Sequence, residues 1–279
     1  MLGIAIVGPE GTGKSLLFEL LTGTAPQERT LSDTFTPPVG TVSLPDSRLE
    51  SLQQILKRPK YVPLAVEVKD YPGFTSGTPS RLLNRILPEI KQADLLLMVV
   101  QGFSVAEAER VLKATRAFGD ELLILDLAIA ENALKKHQQR LRGTKKPEQD
   151  ARYKLLSRVA ELLEASKLLH NELTTDEKKQ LRDLALLTLK NQLIVINVDE
   201  EVYAKEELRE GISALISEEV GTSHIIPVKL AVEFAELGDE ERDEFRQLYG
   251  INEPLVPPLK RSILKALDHI VFYLSLIHI

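Results

Sequence analysis

The residues best suited to chemistry lie at the start of the chain. Gly8-Pro9-Glu10-Gly11-Thr12-Gly13-Lys14-Ser15 is G-x-x-x-x-G-K-S, the spacing of a loop that cradles phosphate. Gly8 and Gly13 let the backbone turn tightly enough to aim successive N–H groups at one anion. The positive end of a following helix adds to the same field. Lys14 is placed to reach the β- and γ-phosphates of a nucleotide, and the Ser15 hydroxyl to join a Mg²⁺ site. The segment from Gly8 through Pro9, Glu10, Gly11, Thr12, Gly13, Lys14 and Ser15 to Leu16 is therefore the candidate phosphate contact. A second candidate is Asp70-Tyr71-Pro72-Gly73, a D-x-x-G. There Asp70 would hold Mg²⁺ through water and the Gly73 N–H would meet the γ-phosphate. Alone, such a tetrapeptide is most often a turn; its place at the end of a strand favours the nucleotide reading.

These groups need a frame. Leu2 to Val7 is a short apolar run ahead of the glycine loop, and Leu16, Leu17, Phe18, Leu20 and Leu21 continue behind it at helical spacing. Strand, loop and helix thus come in the order a phosphate cradle requires. Gly23 to Gly40, rich in Thr, Ser and Pro, reads as a long functional loop. The pattern then predicts a strand at Thr41–Leu44, a helix at Asp46–Leu56, a strand at Val62–Lys69 and a helix at Ser80–Gln92. Ala93 to Val100 is a continuous apolar run suited to a central parallel strand. A helix at Val105–Ala117 and a strand at Leu122–Leu125 follow. This alternation predicts a doubly wound, mostly parallel α/β domain with its ligand at the carboxyl ends of the strands.

From Leu127 the period changes. Leu127, Ala130, Leu134, Gln138 and Leu141 keep a three-four spacing, as do Leu155, Val159, Leu162, Leu169 and Leu173 after a polar break at Gly143–Pro147. Two such helices should fold back as an antiparallel hairpin. Thr174-x-x-Glu177 resembles a capping box opening a third helix with Leu181, Leu184 and Leu187 on one side. The α/β pattern resumes with a buried strand at Leu193–Asn197, a helix around Ile212–Ile216, a strand at Ile225–Val228 and a charged helix at Glu233–Leu248. The expected organisation is an NTPase domain in two parts, 1–125 and 191–250, a helical arm inserted at 126–190, and a C-terminal region at 251–279.

The first arm and its tip carry Lys135, Lys136, Arg140, Arg142, Lys145 and Lys146 with no acidic residue between them. A solvated helix face is the plain reading. A projecting basic arm on a chain of net charge -6 is also where contact with a phosphate backbone would be concentrated. No aromatic residue lies between Lys135 and Lys146, so base stacking has no support. The chain has 279 residues and no Cys, which excludes disulfides and thiolate metal sites and suits a reducing compartment. Histidines 137, 170, 224, 269 and 278 show no metal-ligand spacing. No stretch approaches the ~20 apolar residues that span a bilayer. A cytoplasmic protein is expected.

Together these residues resemble the Obg-like ATPase (YchF) family of P-loop, translation-factor-related NTPases, from Gly3 to about Tyr273. The most specific matches are Gly8–Ser15, Thr34-Phe35-Thr36-Pro37-Pro38-Val39-Gly40, Val42–Leu49 and Asp70–Gly73. Leu187–Lys190 before Asn197-Val198-Asp199-Glu200, and Ala235–Phe245, match as well. The resemblance implies a P-loop fold with a helical hairpin insert, Mg²⁺-dependent hydrolysis of a nucleoside triphosphate, and ribosomes or structured RNA as partners. It makes Thr34 the switch threonine, joining Mg²⁺ and ordering its loop around the γ-phosphate. It puts Asn197, Val198 and Glu200 at the base-reading position. Guanine-specific relatives carry Asn-Lys-x-Asp there, whose Asp accepts two hydrogen bonds from guanine. With Val198 and Glu200 in place of that Lys and Asp, ATP is expected over GTP; Asp199 keeps GTP open should the register shift. Phe74 stands where many GTPases carry a water-orienting Gln, a mark of the family. The second switch is short, Thr75–Ser80, and Ser104–Phe118 lacks the family's His, so hydrolysis is expected to be slow or partner-dependent. The rival expectation is a nucleotide-gated binding module with negligible turnover. The resemblance also makes 251–279 the start of a TGS-like region. Leu274–Ile279 fits nothing before it, for which a truncated frame is the leading expectation and a short apolar C-terminal strand the alternative.

Overall fold

The computed structural model describes residues 2–25, 36–56, 62–75, 77–104, 107–141, 149–238, 241, 244, 249, 251 and 254–267. Six strands form one sheet: β1 (Gly3–Val7), β2 (Val39–Leu44), β3 (Leu64–Asp70), β4 (Leu95–Gln101), β5 (Asn191–Asn197) and β6 (Ser223–Ile226). Their order is β2-β3-β1-β4-β5-β6, with β2 antiparallel to β3 and every other pair parallel. The helices are α1 (Lys14–Thr22), α2 (Ser47–Ile55), α3 (Ser80–Ile90), α4 (Ala108–Leu141), α5 (Ala151–Glu164), α6 (Leu169–Glu172), α7 (Thr175–Gln180), α8 (Glu200–Ala204), α9 (Glu206–Glu219), α10 (Val228–Glu236) and α11 (Val256–Ala266). Two 3-10 turns, Arg182–Leu184 and Leu187–Leu189, lead into β5.

The central strands are apolar throughout because both faces are covered. Side chains alternate along a strand, so Ile4 and Ile6 face one side of β1 while Ala5 and Val7 face the other. The first face, with Leu97, Val99 and Val195, packs on Leu17 and Phe18 of α1, Ala231 of α10 and Ile263 of α11. The second, with Met98, Val100 and Ile196, packs on Ile86 of α3, Val111 and Phe118 of α4 and Ile212 of α9. β1, β4 and β5 are thereby clamped from two sides, whereas β3, which ends in Asp70, sends Val66 and Val68 into the first core and keeps Ala65, Glu67 and Lys69 on a partly exposed face.

Several expectations are corrected. Leu122–Leu125 is not a strand: α4 runs unbroken from Ala108 to Leu141 through that stretch. Its residues look strand-like because the helix is buried on two sides, Leu122 against the sheet core and Leu123 in a third core formed by the arm. That third core joins Ala130 of α4 to Leu155, Leu156, Val159 and Leu163 of α5, so the hairpin does fold back on itself. The second arm stops at Glu164, and Leu169 and Leu173 reach the same core from the short α6 and its cap. The Thr174 capping box forms, with the Glu177 N–H donating to Thr174 Oγ1 at 3.3 Å and the Thr174 N–H to Glu177 Oε2 at 2.9 Å. Its helix ends after six residues, and Leu184 and Leu187 sit on the 3-10 turns instead.

Val228 opens α10 rather than closing a strand, and α10 ends at Glu236, short of the charged helix expected to Leu248. Most of 239–248 lies outside the described residues. Residues 256–266, assigned from sequence to a separate C-terminal region, pack Leu259 and Ile263 into the sheet core. Asn191 Nδ2 donates to the Ala266 carbonyl at 2.7 Å to close that seam. Thr34, the basic tip at Arg142, Lys145 and Lys146, and 268–279 also lie outside the described residues.

Candidate functional site

The glycine loop links the end of β1 to α1 at the open edge of the sheet. Gly13 caps α1 with φ 92, a left-handed conformation, and a Cβ there would overlap Asn197 Nδ2. Only glycine meets both demands. Lys14 is 5% exposed and folds back over the loop, its Nζ donating to the Pro9 carbonyl at 2.5 Å. The Thr12 hydroxyl donates to the same carbonyl at 3.1 Å. The cation thus lies along the loop whose N–H groups would face the anion. Ser15 is in the first turn of α1, half-buried.

Asp70 ends β3 beside Ile6 of β1 and is 1% exposed. Gly73 brings the chain against the loop: a Cβ on it would overlap the backbone of Pro9 and Glu10. D-x-x-G and the glycine loop are therefore in direct contact, although far apart in sequence. The Tyr71 N–H donates to the Ile6 carbonyl at 3.3 Å, which pins the same turn to β1. Tyr71 itself is buried; burial first, then the Glu89 carboxylate that its hydroxyl bonds, push its phenol above the usual range.

For Mg²⁺ the donor set fits. A hydroxyl (Ser15) and a carboxylate (Asp70) are hard oxygen ligands of the kind Mg²⁺ takes alongside phosphate oxygens and water. Of the histidines, His137 Nε2 pairs with Asp150 Oδ1 at 2.8 Å across the arm, and His170 Nδ1 lies 3.4 Å from the Leu189 carbonyl. His224 sits on β6, where burial and then Arg261 lower its pKa. His269 and His278 are outside the described residues.

The segment after β5 reaches the same edge. Asn197 is buried, with Nδ2 donating to the Thr12 carbonyl at 3.0 Å and Oδ1 accepting from the Val228 N–H at 3.2 Å. Val198 is 3% exposed and belongs to the sheet core, so its side chain is not on the open edge. Glu200 is exposed in the first turn of α8.

With this geometry in view, the model of the 50S ribosome-binding GTPase family matches residues 3–198. A protein of Escherichia coli O157:H7 called ribosome-binding ATPase YchF is 31% identical over 274 residues, which is 94% of this chain and 75% of that one. Its namesake from Bacillus subtilis (strain 168) is 31% identical over 260 residues, 89% of this chain and 71% of the relative. The solved structure of the Schizosaccharomyces pombe YchF GTPase superposes with a TM-score of 0.73 at 22% identity, covering 96% of this chain and 76% of that chain. The chain belongs to the YchF family. Its fold is that of the P-loop NTPases.

Within this YchF-family chain, the residue after D-x-x-G is a core residue. Phe74 is 2% exposed and meets Phe118 of α4 edge to face, centroids 5.6 Å apart at 61°. The turn that follows Phe74 is tied at both ends, the Thr75 N–H donating to Thr78 Oγ1 at 2.9 Å and the Thr78 N–H to the Thr75 carbonyl at 3.0 Å. Asp126 escaped the sequence reading, and so did the capping role of Asp199, weighed there only as an alternative base reader. Asp199 caps α8, a role that an Asp just ahead of a helical stretch advertises. Asp126 lies buried in α4 and accepts from the Leu187 N–H at 3.0 Å, the Thr188 N–H at 2.7 Å and the Thr188 hydroxyl at 2.7 Å. Burial raises its pKa against those three hydrogen bonds. A lone Asp within Leu122–Leu127 was the available signal.

Proposed function

We propose that the chain binds a nucleoside triphosphate with Mg²⁺, ATP in preference to GTP, and hydrolyses it slowly as a cytoplasmic switch. Its helical arm would meet rRNA or another structured RNA of the ribosome. The observation that carries this reading is the closure of two distant segments on one loop, Gly73 against Pro9 and Glu10 and Asn197 on Thr12, with the loop's own Lys14 folded on Pro9.

On binding, Lys14 Nζ would exchange the Pro9 carbonyl for β- and γ-phosphate oxygens, and loop N–H groups would take the remaining charge. Gly73, already in contact with the loop, would direct its N–H at the γ-phosphate. Thr34 would close over it from the first switch. Ser15, Thr34 and Asp70 would hold Mg²⁺, which neutralises phosphate charge when bound. Water is the nucleophile, and Phe74 offers it nothing, being packed on Phe118. That burial favours slow turnover, and it also favours the second reading, a nucleotide-gated module that hardly turns over without its partner.

For the base, Val198 is withdrawn into the core and Glu200 is one methylene longer than the Asp that reads guanine. The names of the relatives point both ways, ATPase for the bacterial proteins and GTPase for the S. pombe structure. Lys135, Lys136 and Arg140 are exposed on the last turns of α4; of these, Lys135 is 3.8 Å from Glu131. No helix among the described residues is long and apolar enough to cross a membrane. Competition titration on the purified chain should show ATP binding at least as well as GTP, with Glu200→Asp moving the preference toward GTP. A strong GTP preference in the unaltered protein would overturn the base assignment.

A further inference from the structure

The carboxylate of Asp199 is fully engaged by backbone. Its Oδ1 accepts the Val202 N–H at 2.8 Å, capping α8, and its Oδ2 accepts the Ser104 N–H at 2.7 Å. Ser104 is one of three described residues other than glycine with positive φ, at 57°. A left-handed serine costs about 1 kcal/mol or more unless its surroundings hold it. Here the hold is visible: the Ser104 N–H is bound to Asp199, and two residues earlier the Gly102 N–H donates to the Asn197 carbonyl at 2.7 Å. The loop that follows β4 is thus tied at two points to the segment that follows β5.

We propose that Asp199 is a positioning residue for the nucleoside: it latches the Ser104 turn to the start of α8 and so fixes the segment that faces the base, without itself reading it. This rests on the proposed nucleotide site and adds to it. Asn197 anchors the same segment to the phosphate loop through Thr12, independently of Asp199. The two attachments separate by function, Asn197 serving the phosphate side and Asp199 the nucleoside side. A carboxylate whose two oxygens already accept short hydrogen bonds from main chain has its best directions taken, and guanine would have to displace one of them.

The test compares three probes on the full chain with Mg²⁺: ATP, GTP and inorganic tripolyphosphate, which has no nucleoside. Asp199→Ala should weaken ATP and GTP by the same factor, about tenfold, the effect of losing roughly one well-placed hydrogen bond to a charged group. Tripolyphosphate affinity should not change. Asp199→Asn, which keeps one carbonyl acceptor, should lie between. Ser104→Gly, for which φ 57° carries no penalty, should restore part of the affinity when combined with Asp199→Ala. Selective loss of GTP would make Asp199 a base reader and sink the proposal. So would unchanged ATP and GTP affinity, or a parallel fall in tripolyphosphate binding, which would mean general loosening. Should Asp199→Ala not fold, the asparagine variant carries the same comparison. Failure of the unaltered protein to bind any of the three probes would instead overturn the nucleotide site itself.

Discussion

Lys14 is the residue on which the proposed chemistry turns. It is buried without being a core residue, since its ammonium rests on the Pro9 carbonyl and its stem lies along the loop. The neutral Pro9 carbonyl is a weaker partner for a cation than a triphosphate, which would offer charge-assisted contacts to two phosphate groups. Lys14→Ala should therefore lower triphosphate affinity by about a hundredfold or more, the worth of two such contacts at ~1.5 kcal/mol each. The melting temperature should move little, because the Pro9 carbonyl still accepts from the Thr12 hydroxyl when the ammonium is gone. Calorimetry with ATP and Mg²⁺ gives the first number and a thermal melt the second. Unchanged affinity would remove the cradle assignment.

At the scale of elements, α4 is the longest member of the fold and joins two cores. Near its start Val111, Leu112 and Phe118 pack on the sheet; farther along, Leu123 and Ala130 pack on α5. Asp126 stands at the junction and fastens the helix to Leu187 and Thr188 just ahead of β5. Beyond it, His137 and Asp150 clasp the two arms together, and the hydrogen bond from His137 holds the Asp150 carboxyl below its usual range. The exposed Lys135, Lys136 and Arg140 are therefore carried on a supported arm. If they touch a phosphate backbone, reversing the charge of Lys135, Lys136, Arg140 and Arg142 should weaken ribosome association. It should also flatten the salt dependence, by up to roughly one unit of log-log slope per contact removed. Nucleotide affinity should be unaffected. Equal cosedimentation of variant and parent at several salt concentrations would leave the run a solvated face.

At the scale of the molecule, the candidate site is assembled because strands remote in sequence end side by side. Asn197 shows the cost of losing that convergence: its amide holds Thr12 on one side and the Val228 N–H on the other. Asn197→Ala would leave a buried N–H and a carbonyl without their partners, costing about 2–4 kcal/mol in stability at ~1–2 kcal/mol per lost bond. It should weaken tripolyphosphate as well as ATP, because the phosphate loop loses its brace. Urea melts and the same three-probe titration check both, and intact tripolyphosphate binding would refute the brace.

What the sequence determined by itself is whatever depends on neighbours in the chain. Gly8–Ser15 could be read because strand, turn and helix are consecutive, and Thr174–Glu177 because a capping box spans one helical turn. The buried strands were legible from apolar runs too short and too continuous to be surface helices. Leu122–Leu125 failed by the same rule, since a helix buried on both sides shows no polar face by which to measure its period. Only the tertiary structure decided that Phe74 and Val198 are core residues and that Asp199 is occupied by Ser104 and Val202. It likewise decided that Asp126 is a brace and that the helix at 256–266 packs on the sheet. In each case the deciding partner lies on another element, and no local spacing encodes which carboxylate will find a buried N–H or which apolar side chain will be covered.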